Sequence, residues 1–125
     1  MKKVIYILLS LAVFSSCQKA DKNGDLDGFW KLLQIEEFES GTITNTKEVD
    51  RFWSVQLDLM TTTGNGKGRF QHIGDSLFVQ MIQIPKKSKE VGLYNPLDER
   101  FGVVHLSAKK MILRSKYVEL NFRKF

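Results

Sequence analysis

The chain has 125 residues, 42% of them hydrophobic and 26% charged, with 19 Lys and Arg against 14 Asp and Glu for a net charge of +5. That length supports one domain with its own core and leaves no room for a second. A single cysteine, Cys17, has no partner within the chain, so no disulfide framework is available and stability must come from packing.

Lys2 and Lys3 open the sequence and are followed by eleven mostly apolar residues, Val4 to Phe14. Such a stretch is too short to span a bilayer, which takes about 20 apolar residues. Ser15 and Ser16 then precede Cys17. The order of charge, apolar core, small residues and cysteine resembles the lipobox of bacterial lipoproteins, with Phe14 standing where an aliphatic residue is usual. The resemblance implies a signal peptide over 1–16, cleavage before Cys17, and attachment to a membrane through a lipid on that cysteine. A simple secretory signal leaving a free Cys17 is the alternative. Gln18 is not the aspartate associated with inner-membrane retention, so the expected location is the cell envelope at the outer membrane, on either the periplasmic or the surface face.

Residues 17–26 read as a polar, flexible tether. Asn23, Asp25, Asp27 and Gly28 echo a calcium loop, but Gln34 stands where the closing glutamate belongs, and no metal site is assigned. The folded domain is expected over 27–125. Phe29 to Phe38 and Leu77 to Ile84 are apolar on both faces for part of their length. Trp53, Val55, Leu57 and Leu59 alternate with polar residues, as do Val118, Leu120 and Phe122, and period two marks half-buried strands. Shorter strands are expected at Arg69 to Ile73, Phe101 to Leu106 and Met111 to Arg114. Turn chemistry separates them at Gly64-Asn65-Gly66, Gly74-Asp75-Ser76 and Ser107 to Lys110. Longer connections run from Ser40 to Asp50 and from Pro85 to Arg100.

Seven or eight close-set strands without a sustained helical stripe predict an all-β domain, a small antiparallel up-and-down barrel or a sandwich, and closure of edges favours the barrel. Gly28-Phe29-Trp30 resembles the G-x-W opening of lipocalins. The segments Phe101 to Val104, Met111 to Leu113 and Val118 to Arg123 are similar to the closing strands of small lipocalin-like lipoproteins of the Bacteroides group. The resemblance implies an eight-stranded barrel, with Trp30 packed across its closed end and Arg123 of the last strand set over it. The T-D-Y element of full-length lipocalins is missing.

No arrangement for catalysis or cofactor binding is found. His72 and His105 lack metal-site spacing, no G-x-S-x-G elbow occurs, and Glu36, Glu37 and Glu39 read as the solvated end of a strand. Gly64, Gly66 and Gly68 belong to a hairpin rather than a phosphate loop. The expected protein is therefore not an enzyme. Its first expected function is to hold a small apolar or amphipathic ligand between inward residues such as Trp53, Phe70, Phe101 and Met111. The alternative is an accessory subunit that meets an envelope protein through its two long loops. Lys86, Lys87 and Lys89, with Lys109 and Lys110, could contact anionic headgroups or merely keep loops solvated. Nucleic acid is not an expected partner beyond the membrane.

Overall fold

The computed structural model describes residues 24–125. A three-residue 3-10 turn, Gly24–Leu26, leads into nine strands: β1 (Gly28–Glu37), β2 (Ile43–Asn45), β3 (Phe52–Gln56), β4 (Leu59–Thr62), β5 (Gly66–Ile73), β6 (Ser76–Gln83), β7 (Glu99–Leu106), β8 (Lys110–Arg114) and β9 (Val118–Lys124). From β3 onward each strand is antiparallel to the next, and β9 pairs back onto β1. Eight strands thus close an up-and-down barrel without free edges. Short β2 stands outside that ring, pairing with Gln34 to Glu36 on the same flank of β1 that β3 occupies lower down.

Alternation drives the closure. In β9, Val118, Leu120 and Phe122 face inward, while Glu119, Asn121 and Arg123 face out. The same period places Trp53 and Val55 of β3 and Leu77, Val79 and Met81 of β6 inside. The expected strand through Leu57 and Leu59 is corrected. Leu57 takes a left-handed conformation (φ 58°), the chain reverses at Leu57-Asp58, and Met60 rather than Leu59 points inward. Leu57 and Leu59 are exposed. No glycine or proline marks this reversal, so the apolar alternation runs through it unbroken in sequence.

The barrel has two unlike ends. At the near end lie the Gly24–Leu26 turn, the start of β1, the β3–β4, β5–β6 and β7–β8 turns, and the end of β9. At the far end lie β2, the β4–β5 and β8–β9 turns, and the connection from Ile84 to Asp98. Residues 24–26, expected in the tether, are part of the fold, since Leu26 is fully buried.

Candidate functional site

Trp53, Phe70, Phe101 and Met111 all face the interior, as their strand positions predict, and all are buried. All four belong to one buried hydrophobic cluster. The Trp53 ring centroid is 5.6 Å from that of Phe101 and 4.8 Å from that of Phe122, both in inclined contacts. Trp30, Met60, Met81 and Leu113 belong to the same buried cluster. The bore of an eight-stranded barrel is just wide enough for side chains to fill it or for one small ligand, and here ring-to-ring contacts occupy the level of Trp53.

The far end is closed by the connection after β6. A second 3-10 turn, Ser88–Val91, carries Val91 and Leu93 into the core, and the Trp53 indole N–H donates to the Val91 carbonyl at 2.9 Å. Gly92 lets the lid approach. Its φ is 85°, and a Cβ there would stand 2.4 Å from Leu120 Cδ1. Arg51 ties the lid from outside, with one guanidinium nitrogen donating to the Glu90 carbonyl at 3.3 Å and another 3.7 Å from its carboxylate.

Beside the lid lies the main polar cluster. Glu99 is 2% exposed, and its carboxylate accepts hydrogen bonds from the backbone N–H groups of Tyr94 (2.8 Å) and Asn95 (3.3 Å). Burial raises the Glu99 pKa, and those two bonds offset part of the rise. The Tyr94 hydroxyl donates to Glu37 at 2.5 Å. Burial and then this bond push the Tyr94 phenol up to about 12, while the Tyr94 bond, followed by one from Ser40, lowers the Glu37 pKa. The Tyr94 ring stacks on Tyr117, centroids 5.7 Å apart, with Lys89 and Lys116 over the two rings. Shallow concavities of about 430 and 330 Å³ flank this pair. Sequence reasoning missed the cluster, because nothing in the spacing of Glu37, Tyr94, Glu99 and Tyr117 announces it.

A concavity of about 750 Å³ spans Leu57-Asp58, β5, β6 and Leu97-Asp98. Alternation sets its Arg69, Gln71, Phe78 and Gln80 on the outer wall. Of the four inward residues expected to hold a ligand, Phe70 alone borders it.

At the near end Trp30 is fully buried, and its indole N–H donates to the Leu26 carbonyl at 2.8 Å. The cation over its ring is not Arg123 but Lys124, whose Nζ lies 4.8 Å from the ring centroid and donates to the Asp25 carbonyl at 2.6 Å. Arg123 points outward because it follows inward Phe122, so the expected closure pair is corrected by one residue. The lysine groups also separate: Lys86, Lys87 and Lys89 lie at the far end, Lys109 and Lys110 at the near end. His72 is half-buried and His105 exposed, on different strands. Among the described residues no three His, Cys, Asp or Glu side chains gather as a metal site would require. Cys17 lies outside the described residues.

Comparison with known families resolves the fold's kinship. The profile of a lipocalin-like domain matches residues 12–125. The chain belongs to the lipocalin-like family. A crystal structure of a lipocalin-like protein from Bacteroides uniformis superposes with a TM-score of 0.68 at 22% identity, over 82% of this chain and all of that one. A crystal structure of an uncharacterized protein from Bacteroides eggerthii gives a TM-score of 0.62 at 18% identity, over 79% of this chain and 98% of that one. At such identities the likeness speaks for the lipocalin-like fold alone. A search of curated proteins finds no match.

Proposed function

We propose that this lipocalin-like protein is a lipid-anchored envelope protein that works by binding another envelope protein, with its barrel as a filled scaffold. The observation that carries this reading is the packing of Trp53 between Phe101 and Phe122 beneath the Val91 carbonyl. A ligand between Trp53, Phe70, Phe101 and Met111 would have to displace those rings and lift the lid. The far-end surface around Tyr94 and Tyr117 suits recognition better. Two half-buried, stacked aromatic rings flanked by lysines combine large contact area with few rotatable bonds, the chemistry common at the centre of protein interfaces. Anchoring at Cys17 is supported by the Lys2-Lys3 opening, the short apolar run and the position of that cysteine. It places the protein in the envelope, with the outer membrane favoured by Gln18.

Native mass spectrometry of the acylated chain, released gently from its own membranes, tests the reading. The expected result is a protein complex that is lost in Tyr117→Ala. A monomer carrying a stoichiometric small-molecule adduct would overturn it in favour of a ligand held in the barrel.

A further inference from the structure

The outer wall near the start of β1 carries charges that the barrel itself does not need. Strand register sets Phe52, Lys31, Arg123 and Lys110 in one line across β3, β1, β9 and β8, each opposite the next. Like charges directly opposed in a sheet oppose its pairing. The ion pairs among the described residues, Arg51–Glu90 and Arg114–Glu119, leave this row out. Asp25 lies in the Gly24–Leu26 turn, and Asp27 stands between that turn and β1.

One alternation nearer the barrel end, Phe29 and Phe125 project from the same wall. The rings of Phe29, Phe52 and Phe125 form a triangle with centroids 5.0, 5.4 and 5.8 Å apart. Phe29 is 46% exposed and Phe125 68% exposed. The Phe125 N–H donates to the Phe29 carbonyl at 3.0 Å, which fixes the two relative to each other. Three rings gathered outside the barrel, beside a row of three cations, form an amphipathic surface that leaves Phe29 and Phe125 exposed among the described residues.

The geometry points to docking of this wall on the anionic headgroup surface of the membrane, a proposal that rests on the lipid anchor at Cys17. Aromatic rings partition into the interfacial layer, and lysine and arginine are drawn to anionic lipid. The chain joins the barrel at Gly24–Leu26, a few residues before Phe29. Six residues lie between Cys17 and Gly24, a reach of about 25 Å at full extension over the seven steps, so the anchor holds the near end close to the bilayer. A second copy seated on the same patch would bring two cationic rows face to face. Docking also turns the Tyr94–Tyr117 surface away from the membrane, toward a partner.

The test uses the full acylated chain in vesicles of phosphatidylcholine with or without phosphatidylglycerol. A nitroxide is placed by Ser54→Cys, opposite Phe29, or by Lys87→Cys at the far end. The expected result is that the label at 54 is several-fold less accessible to a water-soluble nickel chelate than the label at 87, and only with the anionic lipid. Phe29→Ser with Phe125→Ser, both surface changes, should abolish the difference while the protein stays in the membrane pellet. Lys110→Glu with Arg123→Glu should do the same. Equal accessibility of both labels overturns the proposal, as does protection on neutral vesicles alike. Protection found only in native membranes, with their proteins present, overturns it in favour of a protein partner. A chain that washes out of the pellet refutes the anchor instead. The same labels are then read on the chain added to anionic vesicles, where protection supports the patch and its absence overturns it.

Discussion

Lys124 Nζ sits 4.8 Å above the Trp30 ring and donates to the Asp25 carbonyl, so one side chain of the last strand clamps the turn that precedes the first. This contact joins the two ends of the barrel sheet where β9 meets β1. Gly28 leaves room for it, since a Cβ at 28 would lie 2.9 Å from Lys124 Cε. Lys124→Ala should therefore lower stability by about 2 kcal/mol, the combined size of a partly exposed cation–π contact and one charged hydrogen bond. Arg123→Ala, which removes an outward side chain, should change it by less than about 0.5 kcal/mol. Urea unfolding midpoints check the ranking, and a larger effect at Arg123 would contradict it.

The lid depends on Gly92, which lies against Leu120, and on Trp53, which holds the Val91 carbonyl. Gly92→Ala forces a left-handed backbone on alanine and drives its methyl into Leu120, and should cost about 2 kcal/mol. Trp53→Phe keeps most of the apolar volume but leaves the Val91 carbonyl without its donor, at a cost of about 1–3 kcal/mol. In both variants the Gly92 and Leu93 amides, bonded to the Lys89 and Ser88 carbonyls, should exchange with deuterium faster than those of β9. Unchanged protection of the lid would show that it is held otherwise.

Glu99 gives the fold a pH dependence whose sign is set by burial. Its pKa is raised in the folded state, so the folded state binds the proton more tightly than the unfolded chain does. The stability this contributes is fully present below the ordinary carboxylate range and is lost as pH rises through the raised value. Glu99→Gln keeps an acceptor for the Tyr94 and Asn95 N–H groups and removes the ionisation. Relative to that variant, the natural chain should lose stability on passing from acid to neutral pH, as read from unfolding midpoints. A gain over the same range would contradict the assignment.

Tyr94 and Glu37 titrate as a linked pair with opposite displacements. Absorbance titration should show one phenol ionising near pH 12, absent in Tyr94→Phe. The fold favours the neutral phenol, so its contribution falls as pH rises from about 10, the ordinary value, through about 12. In Tyr94→Phe the Glu37 carboxyl should move back up toward its ordinary value, measurable by carbon NMR, because its principal hydrogen-bond donor is gone.

Much of the barrel was legible because strand alternation is a local signal. The inward set Val118, Leu120 and Phe122 predicts β9 and, carried two residues further, predicts Lys124 rather than Arg123 at the closed end. The lipocalin likeness pulled the expectation toward an arginine and away from that period. The β3–β4 reversal was illegible, since Leu57 adopts a left-handed turn without glycine, and apolar Leu57 and Leu59 continue an alternation they do not serve. The lid and the Glu37–Tyr94 bond join residues 57 positions apart or lie in a long connection, where no period exists to read. The row of Phe52, Lys31, Arg123 and Lys110 appears only when the register of four strands is known.

Whether side chains fill the barrel is decided by titrating the natural chain and Trp53→Ala with a fluorescent fatty acid. Removing the indole vacates the space between Phe101 and Phe122, at a cost of about 3–5 kcal/mol in stability. A filled barrel gives no saturable binding by the natural chain and one-to-one binding by the variant. Saturable one-to-one binding by the natural chain, with quenching of its tryptophan emission, would contradict it.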